Sequence, residues 1–143
     1  MQLSRFTDYS LRVLLFVATN NNRRCHLTEI AEFYQISTEH LRKVVHALSK
    51  SGHLKTYRGK NGGITLGLLP NDINIGDIVE QSESDQPIIN CTIPVCILAG
   101  HCTLQPVILE AKQAFMDVLR RYTLADLLSN SELKRHLIHR QEE

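Results

Sequence analysis

With 143 residues, of which 43% are hydrophobic and 22% charged, the chain has a globular composition and room for one compact domain with an appendage. Its longest apolar stretch near the amino terminus, residues 13–18, is too short for a membrane span or a signal sequence, so we expect a cytoplasmic protein with no membrane partner. The net charge of +1 hides an uneven distribution. Residues 1–67 carry ten basic and four acidic side chains, whereas the remainder carries six basic and eleven acidic ones. This asymmetry fits a polyanion partner and solvated helices equally well.

Apolar residues at helical spacing predict two helices at the start of the chain. The first covers residues 6–18 and has Ser4 or Thr7 available as a cap. After a polar break, Thr28 can cap a short second helix that ends at Tyr34. The basic half therefore begins as a helical module.

A third helix is predicted from the cap Ser37 to Gly52, after a tight connection at residues 35–37. Its polar face is broad enough to meet something other than its own core. That face carries Thr38, Glu39, His40, Arg42, Lys43, His46 and Lys50. Two helices joined by a short turn, the second basic, are typical of a helix-turn-helix that enters the major groove of DNA.

Two alternating segments, residues 54–57 and 64–66, predict strands joined by the glycine-rich turn at residues 58–63. Arg58 and Lys60 lie at the tip of this hairpin, where a winged helix contacts phosphates or the minor groove. An ordinary polar hairpin is the alternative, but the order of helix, turn, helix and basic hairpin favours DNA binding.

A short helix at residues 75–79, capped by Asn74, is predicted to close the first module, and residues 81–87 lack periodicity. Residues 104–122 then form a long helix with one apolar stripe, which favours a homodimer whose two DNA-reading modules match a palindromic operator.

Thr123 is predicted to cap a further short helix, and the charged tail after Ser131 is predicted to fray. We therefore predict a mainly α protein with a small β-hairpin wing, divided into a winged helix-turn-helix domain at residues 1–80, a cysteine-bearing loop at 81–103, and a dimerisation helix with its tail at 104–143.

Three of the four cysteines, Cys91, Cys96 and Cys102, cluster immediately before the long helix. Stable disulfides are disfavoured in the cytoplasm, so clustered thiols indicate metal binding or redox chemistry. Spacers of four and five residues suit an iron–sulfur cluster better than zinc, for which His101 would be the fourth ligand. Redox thiols without a metal are the remaining alternative. Cys25 is separate from this group and is interpreted as an incidental small residue.

No nucleophile elbow, phosphate-binding loop or His-Glu-x-x-His pattern occurs, so an enzyme is not expected. The residues instead resemble the iron–sulfur winged-helix regulators over nearly the whole chain. The resemblance rests on the opening MQLSRFTDYSLR, the wing RGKNGG, the segment IGDIV, the three cysteines and the segment YTLADL.

The cysteine spacing resembles the nitric-oxide-sensitive branch of that family. The branch that regulates cluster assembly has a histidine three residues beyond the last cysteine, where this chain has Gln105. The resemblance implies a [4Fe-4S] cluster on the three cysteines, with Asp8 from the other subunit as oxygen ligand. From the residues alone, Asp8 is an acidic side chain near a helix amino terminus, where the helix dipole favours it.

Together these features predict a DNA-binding repressor that nitric oxide releases by damaging the cluster, with Thr38, His40, Arg42, Lys43, Arg58 and Lys60 on the DNA. The alternatives are a regulator that responds to oxygen, peroxide or cluster status, a zinc or thiol-switch regulator, and a small electron carrier that needs no recognition helix.

Overall fold

The first three helices of this computed structural model, which describes residues 2–85 and 87–138, follow the predicted order. Helix α1 (Arg5–Thr19) begins at Ser4, whose side chain accepts a hydrogen bond from the Thr7 backbone N–H. Helices α2 (Leu27–Tyr34) and α3 (Thr38–Lys50) are joined by the tight turn. The predicted helix-turn-helix is therefore present.

The start of α2 differs from the prediction that Thr28 caps it. His26 is the first flanking residue, and its backbone N–H donates to Glu29 Oε1 at 2.8 Å. The Glu29 carboxylate thus reaches back and satisfies a free helix N–H, so the helix starts before Thr28. The same carboxylate accepts from Arg23 Nη1 at 2.7 Å, which anchors the loop preceding α2.

The hairpin consists of β1 (Leu54–Tyr57) and β2 (Gly63–Leu66), paired antiparallel with Leu54 opposite Leu66. Cys25, in the loop before α2, forms a further bridge with Ile64 through two backbone hydrogen bonds of 2.9 and 2.7 Å. The hairpin is therefore held on one side by the segment that leads into the helix-turn-helix.

The second half contains α4 (Ile75–Ser82), α5 (Leu104–Arg120), α6 (Leu124–Leu127) and α7 (Ser131–Leu137), and a 3-10 helix at Pro70–Asp72 precedes them. Asn74 caps α4 as predicted, although α4 continues to Ser82, and Thr123 caps α6.

The prediction of fraying after Ser131 is wrong for residues 131–137. Asn130 caps α7, and Leu137 is buried while its carbonyl accepts from Asn20 Nδ2 at 3.0 Å. This contact with the end of α1 stabilises a helix that the local sequence does not predict. The rest of the predicted frayed end, residues 139–143, lies outside the described residues.

The hydrophobic core lies between α1, α3, the hairpin and α4, with α6 completing it. Its largest fully buried side chains are Phe16, Leu14, Ile30, Leu41, Leu54, Ile73, Ile78 and Leu124. Phe33 packs edge-on against Phe16 with ring centroids 5.2 Å apart. The predicted fold class, mainly helical with a small hairpin, is confirmed.

The carboxyl-terminal end of helix α5 is hydrogen-bonded to the start of α4. The Ile75 N–H donates to the Tyr122 carbonyl at 3.0 Å, and Asn74 Nδ2 donates to the Arg120 carbonyl at 2.8 Å. Gly76 allows the close approach, since a Cβ there would lie 2.9 Å from the Arg120 backbone nitrogen. No described helix combines the length and apolar composition that a membrane crossing requires.

Candidate nucleic-acid interface and cysteine loop

The two faces of α3 have opposite roles. Leu41, Val44, Val45 and Leu48 are buried against the core. The four α3 side chains predicted to contact DNA, which are Thr38, His40, Arg42 and Lys43, are all exposed. Helix α3 therefore presents a polar and basic surface that its own core does not use.

Two contacts order this surface without covering it. The His40 ring lies 6.1 Å from the Tyr9 ring of α1, measured between centroids. Arg42 Nη1 lies 3.3 Å from Glu39 Oε1 in an exposed ion pair between residues three apart on the helix. Exposed pairs of this kind contribute little, about 0.3–0.5 kcal/mol, so Arg42 can exchange Glu39 for a phosphate or a base at small cost.

A concavity of about 320 Å³ separates α3 from the hairpin. Arg42 and Val45 line it from α3, and Tyr57 and Gly59 line it from the hairpin. Arg58 and Lys60 are exposed at the hairpin tip. Arg42 therefore lines a groove between α3 and the hairpin, and Arg58 and Lys60 are the sequence neighbours of Gly59 on its other side.

Arg24 also belongs to this surface, although no pattern in the sequence indicates this. Its guanidinium carbon lies 3.8 Å from the centroid of the Tyr57 ring, and its Nη1 donates to the Asn61 carbonyl at the hairpin tip. Periodicity could not reveal it because Arg24 lies in a loop and its partners are more than thirty residues away.

The cysteine loop differs sharply from this surface. Cys91, Cys96 and Cys102 are free thiols and partly exposed. The Cys96 N–H donates to the Cys91 carbonyl at 3.0 Å, so a short turn separates these two residues. Within residues 2–85 and 87–138, no three side chains of cysteine, histidine, aspartate or glutamate stand close enough together to hold a metal ion.

The donor set of the loop nevertheless fits an iron–sulfur cluster. Thiolates are the ligands such clusters use, and all three thiols are unpaired and reachable from solvent. Apolar side chains of the same loop are also exposed, with Ile93 at 80%, Val95 at 78% and Ile97 at 97%. Within this chain the loop therefore leaves its apolar side chains uncovered, next to the three thiols.

Asp8, the predicted oxygen ligand, lies in the first turn of α1, where it pairs with Arg12 Nε at 2.8 Å and remains 43% exposed. The hydrogen bond to Asp8 raises the pKa of Arg12. The amino terminus of α1 is tied to the residue following α4, because the Ser4 N–H donates to Glu83 Oε1 at 2.7 Å. Within this chain Asp8 does not join the three cysteines.

Cys25 has a defined structural place rather than an incidental one. Its side chain is fully buried, and its backbone pairs with Ile64 of the hairpin. Burial raises the pKa of its thiol to about 11, so the thiolate that metal binding requires is disfavoured. The structure therefore separates one core cysteine from three loop cysteines.

Helix α5 has no buried residue along its 17 positions. The predicted stripe is exposed at Leu104 and Val107 near its start and at Phe115 and Val118 near its end. An amphipathic helix with an uncovered apolar face is typical of an interface.

Comparison with known proteins gives matches over nearly the whole chain. Residues 3–130 match the family model Rrf2, described as an iron-dependent transcriptional regulator. The HTH-type transcriptional regulator NsrR of Bacillus licheniformis is 44% identical over 142 residues, which cover 96% of this chain and 99% of that protein. NsrR of Oceanobacillus iheyensis is 46% identical over 136 residues, which cover 92% of this chain and 92% of that protein.

Two solved structures have the same fold. T. potens IscR superposes with a TM-score of 0.73 at 26% identity, covering 90% of this chain and 87% of that one. CymR, the global cysteine regulator of B. subtilis, superposes with a TM-score of 0.74 at 26% identity, covering 90% of this chain and 97% of that one. The match to the family model, over residues 3–130, includes both the hairpin and the cysteine loop.

Proposed function

The chain belongs to the Rrf2 family of transcriptional regulators, and from this premise we propose that it is a dimeric repressor whose DNA binding is controlled by nitric oxide through a [4Fe-4S] cluster. Family membership makes it a DNA-binding regulator and confirms the prediction that it is not an enzyme. The observation that carries the finer proposal is the exposed loop with three free thiols, placed directly before an uncovered helix in a chain 44% identical to a protein named NsrR.

On DNA, α3 enters the major groove with Thr38 and His40 at its amino-terminal end, where recognition helices contact base edges. Arg42 and Lys43 extend the contact to guanine edges or phosphates. The hairpin then places Arg58 and Lys60 on the adjacent backbone or in the minor groove.

The homodimer forms through α5. Its exposed stripe buries apolar surface only when a second copy covers it, and a two-fold axis along α5 presents two copies of α3 to a palindromic operator. This arrangement also uses the length of α5, whose carboxyl-terminal end is hydrogen-bonded to the start of α4.

Cys91, Cys96 and Cys102 would hold the cluster, and Asp8 of the second subunit would supply the oxygen ligand. When bound, the cluster supplies iron that reacts with nitric oxide. Bound to the cluster, the three thiolates would restrict the conformations of the loop that precedes α5. Asp8 is available for such a role because its ion pair with Arg12 is half exposed.

The residues of the chain connect this loop to the DNA-binding surface. Helix α5 follows Cys102 and is hydrogen-bonded to α4 at its far end. Helix α4 packs on α1, and α1 packs on α3. A loop held in one conformation therefore fixes the two copies of α3 relative to each other, and a released loop removes this constraint, which is the difference between states that a switch requires.

Anaerobic reconstitution with iron and sulfide tests the cofactor part of the proposal. We expect protein-bound iron and sulfide in equal amounts and a broad visible absorption band. Colourless protein that retains zinc would instead indicate a zinc site that includes His101. Colourless protein without any metal would indicate a regulator that uses its thiols as a redox switch. Either result contradicts the proposal, whereas operator binding itself is measured separately.

A further inference from the structure

We propose that Arg24 is a positioning residue of the wing, which sets the orientation in which the hairpin presents Arg58 and Lys60 to DNA. This inference rests on the proposed role of the wing in operator binding. It assigns a function to a loop arginine that lies outside both the recognition helix and the hairpin.

Arg24 contacts the hairpin at two points that lie on opposite sides of Arg58 along the chain. Its guanidinium stacks on the ring of Tyr57, the last residue of β1, at 3.8 Å from the centroid. It also donates a hydrogen bond to the Asn61 carbonyl on the far side of the turn. One rigid, planar group therefore links both arms of the turn that carries Arg58 and Lys60.

The segment around Arg24 is itself anchored to the helix-turn-helix. Arg23 is bonded to Glu29 of α2 at 2.7 Å, and Cys25 is paired with Ile64 of β2. Gly63 lies so close to this segment that an added Cβ would come within 2.7 Å of Arg24 Cβ. The position of Arg24 is therefore determined by α2 and β2 before it reaches the turn.

Within the turn the Gly62 N–H donates to the Gly59 carbonyl at 2.9 Å, but both glycines permit a wide range of backbone angles. Gly59 and Gly63, the first residue of β2, have positive φ angles of 88° and 143°. Two-stranded hairpins are only marginally stable by themselves. A stack and a hydrogen bond from an anchored loop reduce the range of orientations that the tip samples, so the cations at the tip are already placed when DNA arrives.

Equilibrium operator binding by Arg24→Lys is the test, with binding measured as a function of salt concentration. The variant keeps its positive charge but loses the planar group, so we expect affinity to fall by about 10-fold, the range of a cation–π contact and a hydrogen bond. We also expect the dependence of affinity on salt concentration to become shallower, as is expected for Arg58→Ala/Lys60→Ala, because the wing cations no longer engage phosphates.

Two controls separate positioning from a direct phosphate contact. Tyr57→Leu removes the ring face on which Arg24 stacks and should reproduce the loss expected for Arg24→Lys. In the Arg58→Ala/Lys60→Ala background, Arg24→Lys should cause no further loss, because the groups that it positions are gone. Unchanged thermal unfolding and circular dichroism confirm that every variant is folded.

The inference is overturned if Arg24→Lys binds like the wild type, or if its loss adds fully to that of Arg58→Ala/Lys60→Ala, since Arg24 would then contact DNA by itself or have no role. If Arg58→Ala/Lys60→Ala binds the operator like the wild type, the proposed role of the wing fails. The two failures are therefore distinguishable in one set of titrations.

Discussion

The winged-helix region and the region formed by the cysteine loop and α5 differ in how they satisfy their apolar residues. In the first, Leu14, Phe16 and Ile30 are fully buried, and the core closes around them. In the second, Ile97 is almost fully exposed and α5 buries no side chain. The first region is therefore stabilised by contacts within the chain, whereas the second has the composition of a structure completed by contacts from outside it.

The two kinds of cysteine give the largest expected difference between these regions. Cys96→Ala should abolish the visible absorption of reconstituted protein and leave the free energy of unfolding of the apoprotein unchanged, because its thiol is not part of the core. Cys25→Ser should do the reverse. It replaces a fully buried thiol with a hydroxyl, whose burial costs more, so we expect the free energy of unfolding to fall by about 1–3 kcal/mol while the absorption band is retained.

Visible spectra and urea unfolding of the two variants measure both properties. Loss of the band in Cys25→Ser, once folded protein has been isolated, would show that the two regions are not independent. Retention of the full band in Cys96→Ala would remove this residue from the ligand set.

A charge on the α5 stripe should separate association from folding. Val118→Glu places a carboxylate on the exposed apolar face, so we expect the dimer dissociation constant to rise at least about 100-fold by sedimentation, since a buried unpaired charge costs about 3–5 kcal/mol. Gln113→Glu adds the same charge away from the stripe, at an exposed position, and should remain dimeric. Equal effects of both variants would contradict an interface on this face.

Arg42→Ala tests the exposed face of α3 and should leave the cysteine loop and α5 unaffected. We expect operator affinity to fall about 10-fold, the loss of one good base or phosphate contact, with the visible band unchanged. Lys134→Ala, in exposed α7, removes an equal charge outside the predicted surface and serves as the control in filter binding. If Lys134→Ala loses as much affinity as Arg42→Ala, the net positive charge of the protein determines binding rather than the exposed face of α3.

The smallest expected effect concerns pH and only the winged-helix region. Burial lowers the pKa of His53, which is 8% exposed and bonded through Nδ1 to Ser51 Oγ at 2.7 Å. The pKa of His53 is therefore lower in the folded state than in the unfolded state. The unfolded state binds the proton more readily, so the free energy of unfolding decreases as the pH falls below the pKa of the unfolded state. Between pH 7.5 and 5.5, the free energy of unfolding should therefore decrease less in His53→Gln than in the wild type, as measured by urea unfolding. An equal decrease in both proteins would show that His53 does not cause the pH dependence.

Local patterns predicted most of the winged-helix region because its elements depend on residues near in sequence. The buried stripe of α3 and the glycine turn of the hairpin are examples. Helix α7 was missed because its stability depends on the bond between Asn20 and Leu137, which are 117 positions apart. Arg24 was missed for the same physical reason, since Tyr57 and Asn61 become its neighbours only after folding.

For the candidate metal site, the sequence indicates the ligands but not their arrangement in space. Spacing and residue type indicate three thiolate ligands, yet the folded chain alone does not bring them together with Asp8. If Asp8 comes from a second subunit and the loop closes around a group it binds, no pattern within one chain contains that geometry. Such a site can be predicted as a donor set but not as a structure.

Titration of nitric oxide into the anaerobic complex of reconstituted protein and operator shows whether the state of the cysteine loop controls DNA binding. Visible absorption and operator binding are followed in the same sample. We expect the band to be lost and the operator to be released at the same ratio of nitric oxide to protein. Loss of the whole band while the operator stays bound would contradict this expectation.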